Sequence, residues 1–262
     1  MEVMISTVAV PLPDRLASGE TLSAAWIALD SPAAVESLAA RGFDVVVLDM
    51  QHGLTHDGNL PTMLCAAQGT GTSTMVRVAA NDATLITRAL DLGADGVIVP
   101  LVNDAEEAAA AVDACRYPPV GTRSYGPLRA ALRRGGAAEA ELAAAVFVMV
   151  ETRRALEHVD AIAATPGLTG VFVGPADLGF ALGLGAQTDG SHPEHRAALE
   201  TIMAACRTHG VACGIYSNDP AYGRELAARG MQLVVIGNDA SMLAQAADAR
   251  VEAWNRESST ST

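Results

Sequence analysis

The sequence predicts a closed (β/α)8 barrel, and three observations carry that expectation. Eight short apolar runs rich in Val and Ile lie along the chain, the composition of strands buried on both faces. Helical patterns alternate with them from end to end, and 262 residues are enough for eight such strand–helix units. No G-x-G-x-x-G follows the first run, so the competing open, doubly wound sheet with a nucleotide site lacks its signature.

The first strand is expected at 22–29, followed by SPAAVESLAARG, in which Ser31 can cap a helix and Gly42 can end it. FDVVVLDMQHG, residues 43–53, supplies the second strand at 43–49. The third, 73–78, leads into DATLITRALDLG with Asp82 at a capping position, and the fourth, 96–102, into DAEEAAAAVDACRY. Residues 117–137, YPPVGTRSYGPLRAALRRGGA, interrupt the alternation and are expected as an ordered excursion over the barrel mouth. Strands at 145–151, 169–174, 211–217 and 231–237 complete the set, with HPEHRAALETIMAACRTHG between the sixth and seventh. A helix near 240–254 closes one barrel domain over 1–254, and NRESSTST (255–262) reads as a polar, disordered tail.

Composition narrows the function. A net charge of −13 argues against nucleic acid as a partner and leaves no basic patch for a membrane surface. No apolar run is long enough to span a bilayer, and MEVMISTVAVPLPDR lacks the charged start of a secretory signal. The four cysteines form no C-x-x-C pair, which fits a reducing, cytoplasmic home. All 17 basic residues are arginine. With no lysine there is no Schiff base, so enolate chemistry here needs a metal or fixed hydrogen-bond donors. No nucleotide cofactor is expected.

Active sites of such barrels lie at the carboxyl ends of the strands. Strand two ends in Asp49, Gln51 and His52; strand three in Arg77, with Asn81 and Asp82 beyond it. Strand five ends in Glu151, strand six leads to Asp177, strand seven offers Tyr216, Ser217 and Asn218, and strand eight Asn238 and Asp239. Several have plain structural explanations: Asp82 and Asp239 can be helix N-caps, and Arg77 can pair with a neighbouring acid. Glu151 is harder to dismiss, because an unpaired carboxylate after an apolar strand is costly. Two carboxylates from adjacent strands suit a Mg2+ or Mn2+ site that keeps positions open for substrate. His192 and His195 read as a solvated helix end, and His56, His158 and His209 as structural residues.

The chain resembles the HpcH/HpaI family of metal-dependent pyruvate aldolases, which includes citrate-lyase-β-like and malyl-CoA-lyase-like branches. The resemblance runs from about residue 20 to 254 and rests on FDVVVLDMQHG, VRVAANDATLITRALDLGADGVIVPLVNDAEEA, RYPPVGTRSYG, VETRRALEHVDAI and GVFVGPADLGFALG. It implies a barrel of the phosphoenolpyruvate/pyruvate-binding type, its last helix exchanged between subunits of a homo-oligomer, a hexamer or trimer of dimers. It implies reversible cleavage of a 4-hydroxy-2-oxo acid into a 2-oxo acid such as pyruvate and an aldehyde, with Mg2+, Mn2+ or Co2+. On the matching positions, Glu151 and Asp177 stand as metal ligands, Arg77 beside the enolate and His52 as base. Asp82 stands as the acid associated with His52, Asp49 as the acid at its strand end, and the backbone of Gly174, Pro175 and Ala176 as the carboxylate site.

Two positions depart from the family pattern. Met149 stands where many of these aldolases carry glutamine, which puts the donor preference in question. Gln51 stands where glutamate precedes the base and is expected to bear on substrate range. A CoA-thioester lyase would share the metal site and need a basic groove, for which Arg116, Arg123, Arg129, Arg133 and Arg134 are candidates; a subunit contact is the other reading of these arginines. A non-catalytic metabolite-binding barrel is the third possibility.

Overall fold

In the computed structural model, which describes residues 10–134, 136, 138 and 144–259, eight parallel strands close into a barrel in sequence order. They are β1 Leu22–Ile27, β2 Val45–Asp49, β3 Ser73–Arg77, β4 Gly96–Val99, β5 Ala145–Val150, β6 Gly170–Val173, β7 Ala212–Tyr216 and β8 Leu233–Asn238. Each falls on an expected run. The ring closes where β1 pairs with β8, with a register shift between Ala24 and Ala25.

Successive side chains of a strand point to opposite faces, so each run divides between two cores. Val46 and Leu48 of β2 pack outward against helices, whereas Val45 and Val47 join Trp26, Met75, Ile98, Phe147, Met149 and Phe172 inside the barrel. Continuing that parity by one inward position reaches Asp49 on β2, Arg77 on β3 and Glu151 just past β5. Leu12 and Leu16 of α1 (Leu12–Ala17) belong to the interior core and stop the amino-terminal end of the barrel.

Between β1 and β2 lies α2 (Pro32–Ala39), and α3 (Leu60–Gln68) follows β2. Next come α4 (Ala83–Asp91), α5 (Ala105–Asp113) and α6 (Leu128–Arg134). Capping chemistry starts several of them: Ser31 accepts from the Ala34 N–H, Asp82 from Thr84 and Leu85, and Asp104 from Glu107. The carboxyl half carries α7 (Arg153–Glu157), α8 (Val159–Ala163), α9 (Pro175–Ala181), α10 (Pro193–His209), α11 (Pro220–Ala228) and α12 (Asp239–Ser259). That last helix runs on to Ser259, into the segment 255–262 expected as a polar, disordered tail, with neither Gly nor Pro to stop it. Residues 260–262 lie outside the described residues. No described helix is long and apolar enough to cross a membrane.

The Arg-rich excursion is at the other end of the barrel from its expected place. Arg123 pairs with Asp91, Arg129 donates to the Leu92 carbonyl, and Arg133 donates to the Gly93 carbonyl. Arg133 and Arg134 both reach Asp95, immediately before β4 begins. A segment between a helix and the next strand returns to the strand starts, so 117–134 lies at the amino-terminal face, not over the mouth.

Asp95 is the buried hub of that face, since its other oxygen accepts from the Thr74 N–H and hydroxyl. Asp95→Ala would take the carboxylate from two guanidinium groups and the side-chain acceptor from the buried Thr74 N–H. Urea unfolding of the variant should show a loss of about 3–5 kcal/mol, the usual result of breaking a buried ion pair from one side.

Candidate active site

At the carboxyl ends of the strands is a cavity of about 310 Å3, lined by Trp26, His52, Arg77, Met149, Asp177 and Tyr216 among others. A second cavity, about 470 Å3, lies under α1 at the opposite face and is lined by no carboxylate.

The floor of the mouth is a fixed ion pair. Asp49 and Arg77 are paired in register on β2 and β3. Arg77 donates from Nε to Asp49 Oδ1 at 2.8 Å and from Nη2 to Oδ2 at 2.6 Å, the two-point geometry that a guanidinium fork favours. The Trp26 indole N–H donates to Oδ2 at 3.2 Å, and the Arg77 guanidinium lies 4.8 Å from the Trp26 ring centroid. Burial would raise the Asp49 carboxyl; the Arg77 bonds and charge, the Gln51 N–H and the indole outweigh it and hold Asp49 below its ordinary value. Asp49 is thus a permanently ionised support for Arg77. Arg77 Nη1 makes no hydrogen bond among the described residues.

Beyond Asp49 the chain turns sharply. The Gln51 and His52 N–H groups both donate to Asp49 Oδ1, and a Cβ at Gly53 would stand 2.4 Å from the Asp49 carbonyl oxygen. Only glycine fits there, and the turn it permits brings His52 to the cavity. The His52 ring is exposed and has no hydrogen bond among the described residues. Gln51 does not line the cavity; its Oε1 is buried without a partner. The strand has ended by then, and the turn carries the amide away from the inward column.

Glu151 is almost wholly buried behind the cavity wall. Its Oε1 accepts from the Leu101 N–H at 2.8 Å, and Leu101 adopts a left-handed backbone, φ 56°, to present that donor. Its Oε2 lies against Gly174, where an added Cβ would come within 2.3 Å. Burial pushes the Glu151 carboxyl up to about 6; the Leu101 N–H opposes the rise and the neighbouring Asp177 charge adds to it. Asp177, in the first turn of α9, is exposed at the cavity and accepts no hydrogen bond among the described residues. Gly174, Pro175 and Ala176 line the wall between the two acids.

Other expected residues are placed elsewhere. Asp82, five residues beyond the end of β3, caps α4, and among the described residues no hydrogen bond joins it to His52. Asn81 donates to the Glu107 carbonyl. Asp239 takes only the Ala240 N–H from its own helix, and clamps the loop after β1 by accepting from Ala28 and Leu29. His192 caps α10, but His195 is buried, not solvated, with Nε2 3.0 Å from the Pro175 carbonyl oxygen. Sequence reasoning missed Trp26, whose even position in β1 marks it as inward, and Thr188, which nothing in its loop distinguishes.

Residues 22–246 match the HpcH/HpaI aldolase/citrate lyase family. The chain belongs to that family. It is 37% identical over 229 residues to the 5-keto-4-deoxy-D-glucarate aldolase of Salmonella paratyphi C, covering 86% of this chain and 88% of that protein. It is 36% identical over 231 residues to the hydroxypyruvate/pyruvate aldolase of Rhizorhabdus wittichii, covering 87% and 92%. The crystal structure of an HpcH/HpaI aldolase/citrate lyase family protein from Burkholderia cenocepacia J2315 superposes with a TM-score of 0.87 at 33% identity, covering 93% of this chain and 98% of that one. The protein is accordingly an enzyme, a carbon–carbon lyase of aldolase type.

The Glu151 environment has a measurable consequence. Its folded value, about 6, lies above the ordinary 4.5, so its contribution to stability is complete below pH 4.5 and is lost as pH rises through 6. That interval corresponds to roughly 2 kcal/mol. In EDTA, Glu151→Gln should therefore be more stable than the parent by about 2 kcal/mol at pH 8 and nearly equal to it at pH 4, as read by denaturant titration at the two pH values.

Proposed function

We propose that this enzyme cleaves a 4-hydroxy-2-oxo acid reversibly into pyruvate, or a related 2-oxo acid, and an aldehyde, using a divalent cation held by Glu151 and Asp177. The observation that carries the reading is the contrast at the mouth between one carboxylate locked to arginine and two that, among the described residues, pair with no basic side chain. Their hard oxygens fit Mg2+, Mn2+ or Co2+, with coordination positions left for substrate and water. Among the described residues no third His, Cys, Asp or Glu joins them, which is unlike a closed zinc cage. When bound, the cation would act as a Lewis acid on the 2-oxo group.

The chain's own residues do the rest. Two hydrogen bonds to Asp49 hold the Arg77 guanidinium in place, so it offers a fixed positive charge to the developing enolate oxygen. His52, free at the ring, takes the proton of the 4-hydroxyl as the C3–C4 bond breaks and the aldehyde carbonyl forms. The bond pair passes into the enolate, which takes up a proton at C3 to give pyruvate. The Gly174–Ala176 backbone receives the donor carboxylate, and Met149 presents an apolar surface beside it. Asp49 supports Arg77 and transfers no proton. The name of the Rhizorhabdus wittichii relative, a hydroxypyruvate/pyruvate aldolase, favours a small 2-oxo acid donor.

The CoA-thioester alternative loses its support, because Arg123, Arg129, Arg133 and Arg134 are engaged at the amino-terminal face. Exchange of α12 between subunits is favoured by the exposure of Leu243, Val251 and Trp254 along it. Sedimentation equilibrium should then give a species larger than a monomer, and truncation before Asp239 should reduce its order.

The decisive assay uses protein stripped with EDTA and restored with Mg2+, Mn2+ or Co2+, offered pyruvate and a panel of aldehydes. Aldol product and deuterium exchange into the pyruvate methyl should both require the metal. Glu151→Ala and Asp177→Ala should abolish both, and Arg77→Ala should slow exchange by about 100-fold, the scale of losing one charge-stabilising donor. Turnover that survives chelation overturns the proposal.

A further inference from the structure

We infer that His195 is a positioning residue that tethers the turn bearing Asp177 and thereby sets the geometry of the acidic pair. The inference rests on reading Glu151 and Asp177 as a cation site. His195 is 1% exposed in the first turn of α10, and none of the proposed chemistry touches it. Its Nε2 lies 3.0 Å from the Pro175 carbonyl oxygen. A carbonyl only accepts, so Nε2 carries the proton and donates. That leaves Nδ1 as a lone pair, and it is buried with no partner. Core packing alone gives no reason for such a group, since an apolar side chain would fill the space without an unmatched acceptor.

The recipient of that hydrogen bond does give a reason. Pro175 is the first residue of α9, a helix of seven residues whose N-cap position, Gly174, offers no side-chain bond. The helices that start after Ser31, Asp82, Asp104 and Asp219 are all held by such a bond. Asp177, two residues beyond Pro175, has no hydrogen bond of its own among the described residues. The tether from α10 thus anchors, through the Pro175 carbonyl, a turn that no side-chain cap holds, and fixes the peptide that aims Asp177 at Glu151. Supports one layer behind metal ligands commonly alter metal affinity by about 10–100-fold; His195 acts through backbone, so the lower end applies.

The test compares the full-length protein with His195→Leu, His195→Met as a second apolar replacement, and His195→Gln, which keeps an N–H donor at similar reach. Thermal melts confirm folding, calorimetry gives the Mn2+ Kd, and hydrogen exchange follows peptides covering 174–181 in metal-free protein. The apolar variants should bind Mn2+ about tenfold more weakly and exchange faster over 174–181, and His195→Gln should restore both. Folded apolar variants with parental Mn2+ affinity and parental exchange overturn the inference. So does a His195→Gln variant as impaired as His195→Leu. If the parent binds no Mn2+, the cation reading of Glu151 and Asp177 fails, and exchange over 174–181 still decides whether the tether exists.

Discussion

A closed parallel barrel admits only every second side chain to its interior, and both the core and the site follow from that constraint. Val45, Val47 and Asp49 form one inward column on β2; Met75 and Arg77 continue it on β3; Phe147, Met149 and Glu151 on β5. In each column the lower positions are apolar and the uppermost is charged. The site is therefore the top layer of the same stack that fills the barrel. Trp26, Phe147 and Phe172 beneath it displace water, so charges above them interact more strongly than they would at an open surface.

The charges in that layer are in opposite condition. Asp49 accepts from Arg77 twice, from Trp26 and from two backbone N–H groups, and stays ionised in spite of burial. Glu151 has one hydrogen bond, to Leu101, beside a like charge on Asp177, and its proton affinity rises. Two acids a few strands apart are thus driven in opposite directions by their neighbours, an arrangement typical of sites that do chemistry. Because Asp49 fully occupies two faces of Arg77, the guanidinium has a set direction before any substrate arrives. Such preorganisation lowers the reorganisation needed during reaction.

Much of this was legible in the sequence. The eight strands could be read because runs such as VVVL and VFVMV are buried on both sides, and local composition reports double burial directly. Arg77 and Glu151 were marked by their place at strand ends, and the family motifs agreed. What could not be read depends on distance in space rather than along the chain. The arginines of 117–134 were assigned to the wrong face because composition does not say which end of a barrel a segment covers; counting from α5 back to β5 does. Asp82 caps its own helix start, a local bond that a motif match does not register. The four-residue neighbourhood HPEH suggests a solvated helix end for His195, and nothing in it reveals that Pro175 packs against the ring. Trp26 could have been found by extending the alternation of β1.

The distribution of satisfied carboxylates separates stability from function without any appeal to ancestry. Asp95 accepts from two arginines and from Thr74; Asp239 accepts three backbone N–H groups; Asp44 accepts from Arg15 and twice from Ser23. All three join distant segments, and all have the partners that buried or half-buried acids require. Glu151, buried behind the cavity wall, and Asp177, lining it, have fewer donors than these three, and the chain around Glu151 carries a left-handed Leu101 and a glycine where any Cβ would collide. A stability optimum would replace Glu151 by something neutral. That the chain instead holds a reluctant anion in place, beside a left-handed Leu101 in the loop after β4, accords with the proposal that a cation completes it. The sequence's lack of lysine accords with that proposal: with no amine to form a covalent electron sink, a fixed guanidinium and a bound cation would supply the positive charge at this mouth.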